Sequence, residues 1–88
     1  MHYVYVLRSL KDKDLYTGST KNLEIRLGQH QQGKVPATKN RRPLRFIYAE
    51  ISNNIKDALH REKYLKTAWG KRYLRERVKN DENNDPIR

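Results

Sequence analysis

The chain has 88 residues, 35% hydrophobic and 34% charged, with no cysteine. That length holds one domain, and domains of this size bury only about 60–65% of their unfolded surface, so the core must be small. The lack of cysteine excludes a disulfide framework, a thiolate zinc site and a cysteine nucleophile, and no apolar run approaches the roughly 18–20 residues of a membrane span or forms a secretory leader.

The charge points to a class of partner. A net charge of +10 and a pI near 10.1 impose self-repulsion on a small domain, and a polyanion relieves it: DNA, RNA or an anionic membrane surface. A cysteine-free composition also suits a reducing cytoplasm, and a cytoplasmic location is expected.

His2 to Arg8, H-Y-V-Y-V-L-R, alternates aromatic and β-branched residues and reads as a strand with Tyr3 and Tyr5 on one face and Val4 and Val6 on the other. Ser9 to Asp14 form a polar hairpin connection. Leu15 to Ser19 return as a second strand ending in a turn at Gly18, where a glycine permits the turn or a close approach by another chain or a phosphate. Thr20 to Asn22 cap a helix over Leu23 to Gln32, in which Leu23 and Leu27 face a core while Arg26 and His30, one turn apart, occupy the adjoining strip.

Gly33 to Arg45 hold Lys34, Lys39, Arg41, Arg42 and Arg45 with no acid among them, beside Gly33, Pro36 and Pro43. This is read as a basic loop, either a solvated connection or a mobile arm that contacts phosphates, and the net charge favours contact. Leu44 to Ile51 form a third strand. Ser52 to Asn54 cap the next helix, Ile55 to about Ala68, whose stripe is Ile55, Ala58, Leu59, Glu62 and Leu65. Glu62 is the misfit, because a carboxylate on a buried stripe is costly unless paired or holding a metal. The alternative is an i,i+4 pair with Lys66, which explains a surface glutamate better than one in line with Leu59.

Gly70 is read as a break before a last basic helix, Lys71 to Lys79, which carries Lys71, Arg72 and Arg75. Trp69, the single tryptophan, is expected to anchor that junction in the core, with base stacking as the alternative. Residues 80–88 are polar, contain Pro86 and are set apart as a disordered tail, leaving residues 1–79 as the domain. The class is α+β.

With Tyr5, Tyr16, Arg26, His30 and Glu62 standing in this order, the sequence resembles a GIY-YIG nuclease domain, and in particular small members related to the N-terminal incision module of the bacterial excision-repair nuclease. Y-V-Y at Tyr3 to Tyr5 stands for G-I-Y and Y-T-G at Tyr16 to Gly18 for Y-I-G. N-L-E-I-R-L at Asn22 to Leu27 matches the helix that bears the arginine, and A-L-H-R-E-K-Y-L-K at Ala58 to Lys66 matches the segment with the metal-binding glutamate. Tyr3 replaces the first glycine, and Ser19 stands where the repair enzymes often have lysine.

The resemblance implies a small three-stranded antiparallel sheet between helices and hydrolysis of DNA phosphodiesters at one divalent metal, with damaged or branched DNA as a candidate substrate in repair. Glu62 would hold Mg²⁺ or Mn²⁺, the other positions being water and phosphate oxygen. Tyr16 would be the general base, assisted because a free tyrosine titrates near ~10. Arg26 would clamp the phosphate, and Tyr5 and His30 would position water and phosphate, with His30 an alternative base. A non-catalytic nucleic-acid-binding module of the same fold is the alternative reading, and a protein-interaction adaptor a third. Nothing in the sequence marks an oligomeric state.

Overall fold

The computed structural model describes residues 1–81. Strand β1 (His2–Ser9) lies in the middle of the sheet because both of its faces are apolar. Val4 and Val6 point to one side, Tyr5 and Leu7 to the other, and all four are buried. Strands β2 (Leu15–Thr20) and β3 (Leu44–Ser52) pair antiparallel on either flank, giving the order β2-β1-β3. The register sets Tyr5 opposite Gly18 on one side and Ala49 on the other. A bulge between Val6 and Leu7 shifts the β3 pairing from Tyr48 to Phe46.

Each face of the sheet carries its own small core. Helix α1 (Leu23–Gln31) covers the Tyr5 face, where Tyr5, Leu7 and Leu44 pack with Tyr16, Leu23 and Leu27. Helices α3 (Ile55–Leu65) and α4 (Ala68–Arg77) cover the other, where Val4 and Val6 meet Ala58, Leu65 and Leu74. The class is therefore α+β, a three-stranded antiparallel sheet flanked by helices. Arg61 fastens α3 to β3 through a two-pronged contact with Glu50, at 2.9 and 3.0 Å, beneath which the Tyr73 ring lies 4.7 Å from the guanidinium.

The caps sit where short polar residues precede the helices. The Asn22 side chain accepts from the Ile25 N–H, and that of Asn54 from Lys56 and Asp57, satisfying N–H groups that the first turn leaves without partners.

Several expectations change. Gly18 makes no turn: β2 runs through it to Thr20, and a Cβ there would lie 2.5 Å from the Tyr5 hydroxyl, so the glycine is required by the ring across the ladder. The segment 33–45 is not a free arm, since it folds a short helix α2 (Pro36–Lys39) and buries Val35 and Thr38. The α3–α4 break falls at Thr67, whose hydroxyl caps α4 by accepting from the Gly70 N–H at 3.1 Å. Gly70 lies inside α4, pressed against the backbone of Tyr64 and Leu65.

Trp69 is 67% exposed and is no core anchor. It faces solvent beside Arg72, whose guanidinium carbon lies 5.0 Å from the ring centroid. On α3, Ile55 and Leu59 are exposed as well, and of the expected stripe only Ala58 and Leu65 are fully buried. Asp81, assigned to the tail, is part of the packed structure: its Oδ2 accepts from Arg8 at 2.7 Å and from Arg45 at 2.9 Å. The remainder of the expected tail, 82–88, lies outside the described residues. Among the described residues, no helix is long and apolar enough to cross a membrane.

Candidate active site

Tyr5, Tyr16, Arg26 and His30 converge on the α1 side of the sheet. The Tyr5 hydroxyl is 2.7 Å from His30 Nε2, and His30 Nδ1 is 2.7 Å from the Thr38 hydroxyl. All three side chains are fully buried. The Tyr16 ring completes the group, its centroid 5.3 Å from that of His30 and 6.5 Å from that of Tyr5.

Electrostatics hold this chain neutral. Burial, with Arg26 adding repulsion, brings the His30 pKa down to about 4, so the imidazole is uncharged near neutral pH. Burial raises the Tyr5 pKa, the Tyr16 and Glu62 charges act in the same direction, and the adjacent Arg26 guanidinium opposes them. Tyr5 therefore keeps its proton. A neutral imidazole has one donor and one acceptor nitrogen, so either Tyr5 donates and Thr38 accepts, or the reverse. Both ring nitrogens are occupied in either case, which leaves His30 no free site with which to deprotonate a water. Arg26 is half-buried and donates to Gln29 Oε1 at 3.1 Å.

Glu62 approaches from the opposite face. Its Oε1 accepts the Ser19 hydroxyl at 2.6 Å and its Oε2 the Lys66 ammonium at 2.9 Å. Partial burial would raise the carboxyl pKa, but the Ser19 and Lys66 hydrogen bonds and the charges of Lys66 and His2 bring it below the ordinary glutamate value. The Lys66 pair accounts for the carboxylate on this stripe. Glu62 is nonetheless close enough to Tyr5 for its charge to be felt there. Successive β2 residues connect the two halves: Gly18 stands opposite Tyr5, and Ser19, opposite Val4, bonds Glu62. Among the described residues no three His, Asp or Glu side chains group around a common point.

Two contributors carry no local signal in the sequence. Thr38 anchors the outer nitrogen of His30 from a segment that reads as loop. Ser19 registers in the sequence as the loss of a lysine, whereas in the fold it orients the carboxylate.

The basic residues divide into two sets. Arg41 donates to Asp12 at 2.7 Å, Arg42 to the Lys39 and Gln31 carbonyls, and Arg45 to Asp81. Lys34 and Lys39 are exposed, as are Lys71, Arg72 and Arg75 on α4.

The model of the GIY-YIG catalytic domain matches residues 1–75. The chain is 43% identical over 67 residues to a UPF0213 protein of Staphylococcus haemolyticus, covering 75% of this chain and 80% of that one. UPF0213 proteins of Syntrophus aciditrophicus and Clostridium perfringens are likewise 43% identical, over 74% and 75% of this chain and 76% and 71% of theirs. No solved structure gives a significant match. With the family's domain model spanning nearly the whole described chain over the sheet and helices that carry these residues, the chain belongs to the GIY-YIG family of nuclease domains.

Proposed function

We propose that this chain is a divalent-metal-dependent endonuclease that hydrolyses DNA phosphodiester bonds. The observation that carries the reading is the convergence on β2: Tyr5, Tyr16 and Arg26 to one side, and an ionised, part-exposed Glu62 held by Ser19 to the other.

The residues fit a hard cation. Glu62 is a single oxygen donor kept ionised at neutral pH, which suits Mg²⁺ or Mn²⁺ completing its shell with water and phosphate oxygen. Bound there, the cation supplies positive charge against the phosphate oxygens. Lys66, 2.9 Å from Oε2 and half exposed, holds the same carboxylate.

Tyr16 is assigned as general base. In that role the Tyr16 oxygen, once deprotonated, would take a proton from water as the water oxygen bonds to phosphorus, and the P–O bond to the leaving strand would break, the departing oxygen taking a proton from solvent. Arg26 offsets the charge that accumulates on the phosphoryl oxygens. Tyr5 stays protonated and offers a fixed polar edge, oriented by His30, which serves as a positioning residue. Damaged or branched DNA and a role in repair belong to the same proposal through the family resemblance alone, and a cytoplasmic location through the cysteine-free composition.

The test is nicking of supercoiled plasmid and cleavage of a branched oligonucleotide with Mg²⁺, Mn²⁺ or EDTA, beside Glu62→Gln. Metal-dependent cleavage that Glu62→Gln abolishes while DNA binding persists is the expected result. Normal cutting by the variant would overturn the metal assignment. Salt-sensitive binding without turnover under any divalent ion would leave a binding module of the same fold.

A further inference from the structure

Between the edge strand β2 and helix α4 runs a groove of about 280 Å³ lined by Leu15, Tyr16, Lys66, Lys71, Leu74 and Arg75, among others. A second cavity of about 310 Å³ shares Asp14, Leu15 and Arg75 with it, so the two form one trough. Lys71 and Arg75 stand one turn apart on α4, flanking Leu74, which is buried. Among the described residues no carboxylate pairs with either of them. The loop offers a weaker case, because Arg41, Arg42 and Arg45 are held by protein oxygens. As an edge strand, β2 also leaves unpaired backbone N–H groups on its outer side.

We propose that this trough is the track for one phosphodiester strand, with Lys71 and Arg75 contacting successive phosphates and Tyr16 meeting the strand at the reaction site. The inference rests on the nuclease reading and adds to it a direction of approach. Lys66 lines the track and also holds Glu62, so it stands between the bound strand and the carboxylate. Asp14, the acid where the two cavities meet, bonds the Leu15 N–H at 2.8 Å. Its charge repels phosphate, which places the contacts on the α4 wall. The loop cations Lys34 and Lys39 then add to the long-range field and make no contact.

The experiment compares Lys71→Ala/Arg75→Ala with Lys34→Ala/Lys39→Ala, two variants with the same charge loss, by fluorescence anisotropy on a short labelled DNA across a salt series. Thermal melts establish that both are folded. Losing two phosphate contacts lowers the slope of log affinity against log salt by about 1.4–1.8 and weakens binding about tenfold or more, whereas the loop pair changes the slope little. Equal effects from the two pairs, or a larger one from the loop, would overturn the track while leaving the nuclease reading intact. A wild-type protein that binds no DNA would sink both, and that outcome is read on the parent protein alone.

Discussion

Ser19 donates its hydroxyl to Glu62 Oε1 across 2.6 Å, so the carboxylate of the candidate site is oriented from the edge strand as well as by Lys66 at the end of its own helix. The bond is charge-assisted and partly shielded, the circumstances in which such contacts are strongest.

Ser19→Ala should therefore lower cleavage by about tenfold or more and raise the metal concentration at half-maximal rate, as loss of a partner that orients a metal ligand does elsewhere. Ser19→Thr retains the hydroxyl and should restore much of the rate. A metal titration of plasmid nicking with the three proteins checks this, and an alanine variant as active as the parent would remove Ser19 from the site.

Burial of a neutral His30 makes stability depend on pH. Its pKa is about 4 in the fold and about 6.5 when unfolded, so between these values the unfolded chain binds more protons. Stability is then full above about pH 6.5 and falls as the pH drops through 4, by a total on the order of 3 kcal/mol. The carboxyls of Glu50, Glu62 and Asp81 have lowered pKa values and add their losses mainly below that window. Urea unfolding at pH 7 and pH 5 should show the difference in the parent protein and a much smaller one in His30→Gln. Equal pH dependence in both proteins would mean that the buried imidazole is not its source.

The strands, the first two long helices and their caps were legible because each rests on local chemistry: alternation in H-Y-V-Y-V-L, Leu23 and Leu27 at helical spacing, and Asn22 and Asn54 ahead of the first turns. The site motifs were legible as a family resemblance, and the fold gathers Tyr5, Tyr16, Arg26 and His30 on one face. What escaped depends on distant partners. His30 looks like a rim residue until Thr38 and Tyr5 close over both nitrogens. Arg41 and Arg45 look like free cations until Asp12, 29 residues away, and Asp81, 36 away, reach them. Trp69 looks like an anchor by residue type, yet it falls on the solvent side of α4 because Gly70, Leu74 and Val78 take the inner side.

Gly70 and Gly28 both lie inside helices, and helix propensity alone predicts that alanine stabilises each by about 1 kcal/mol. Their surroundings separate them. A Cβ on Gly28 meets nothing within 4 Å, whereas one on Gly70 would run into the Tyr64 carbonyl oxygen and the Leu65 Cα. Those are backbone atoms at the end of α3, so relief requires α4 to move away from the Leu65 and Leu74 core. Gly28→Ala should raise the melting temperature by about 4–8 °C. Gly70→Ala should lose about 2 kcal/mol or more, since overpacking against rigid backbone exceeds the propensity gain. Thermal melts of the two variants give opposite signs if α3 and α4 meet at Gly70. A stabilised Gly70→Ala would mean that the helices do not approach this closely.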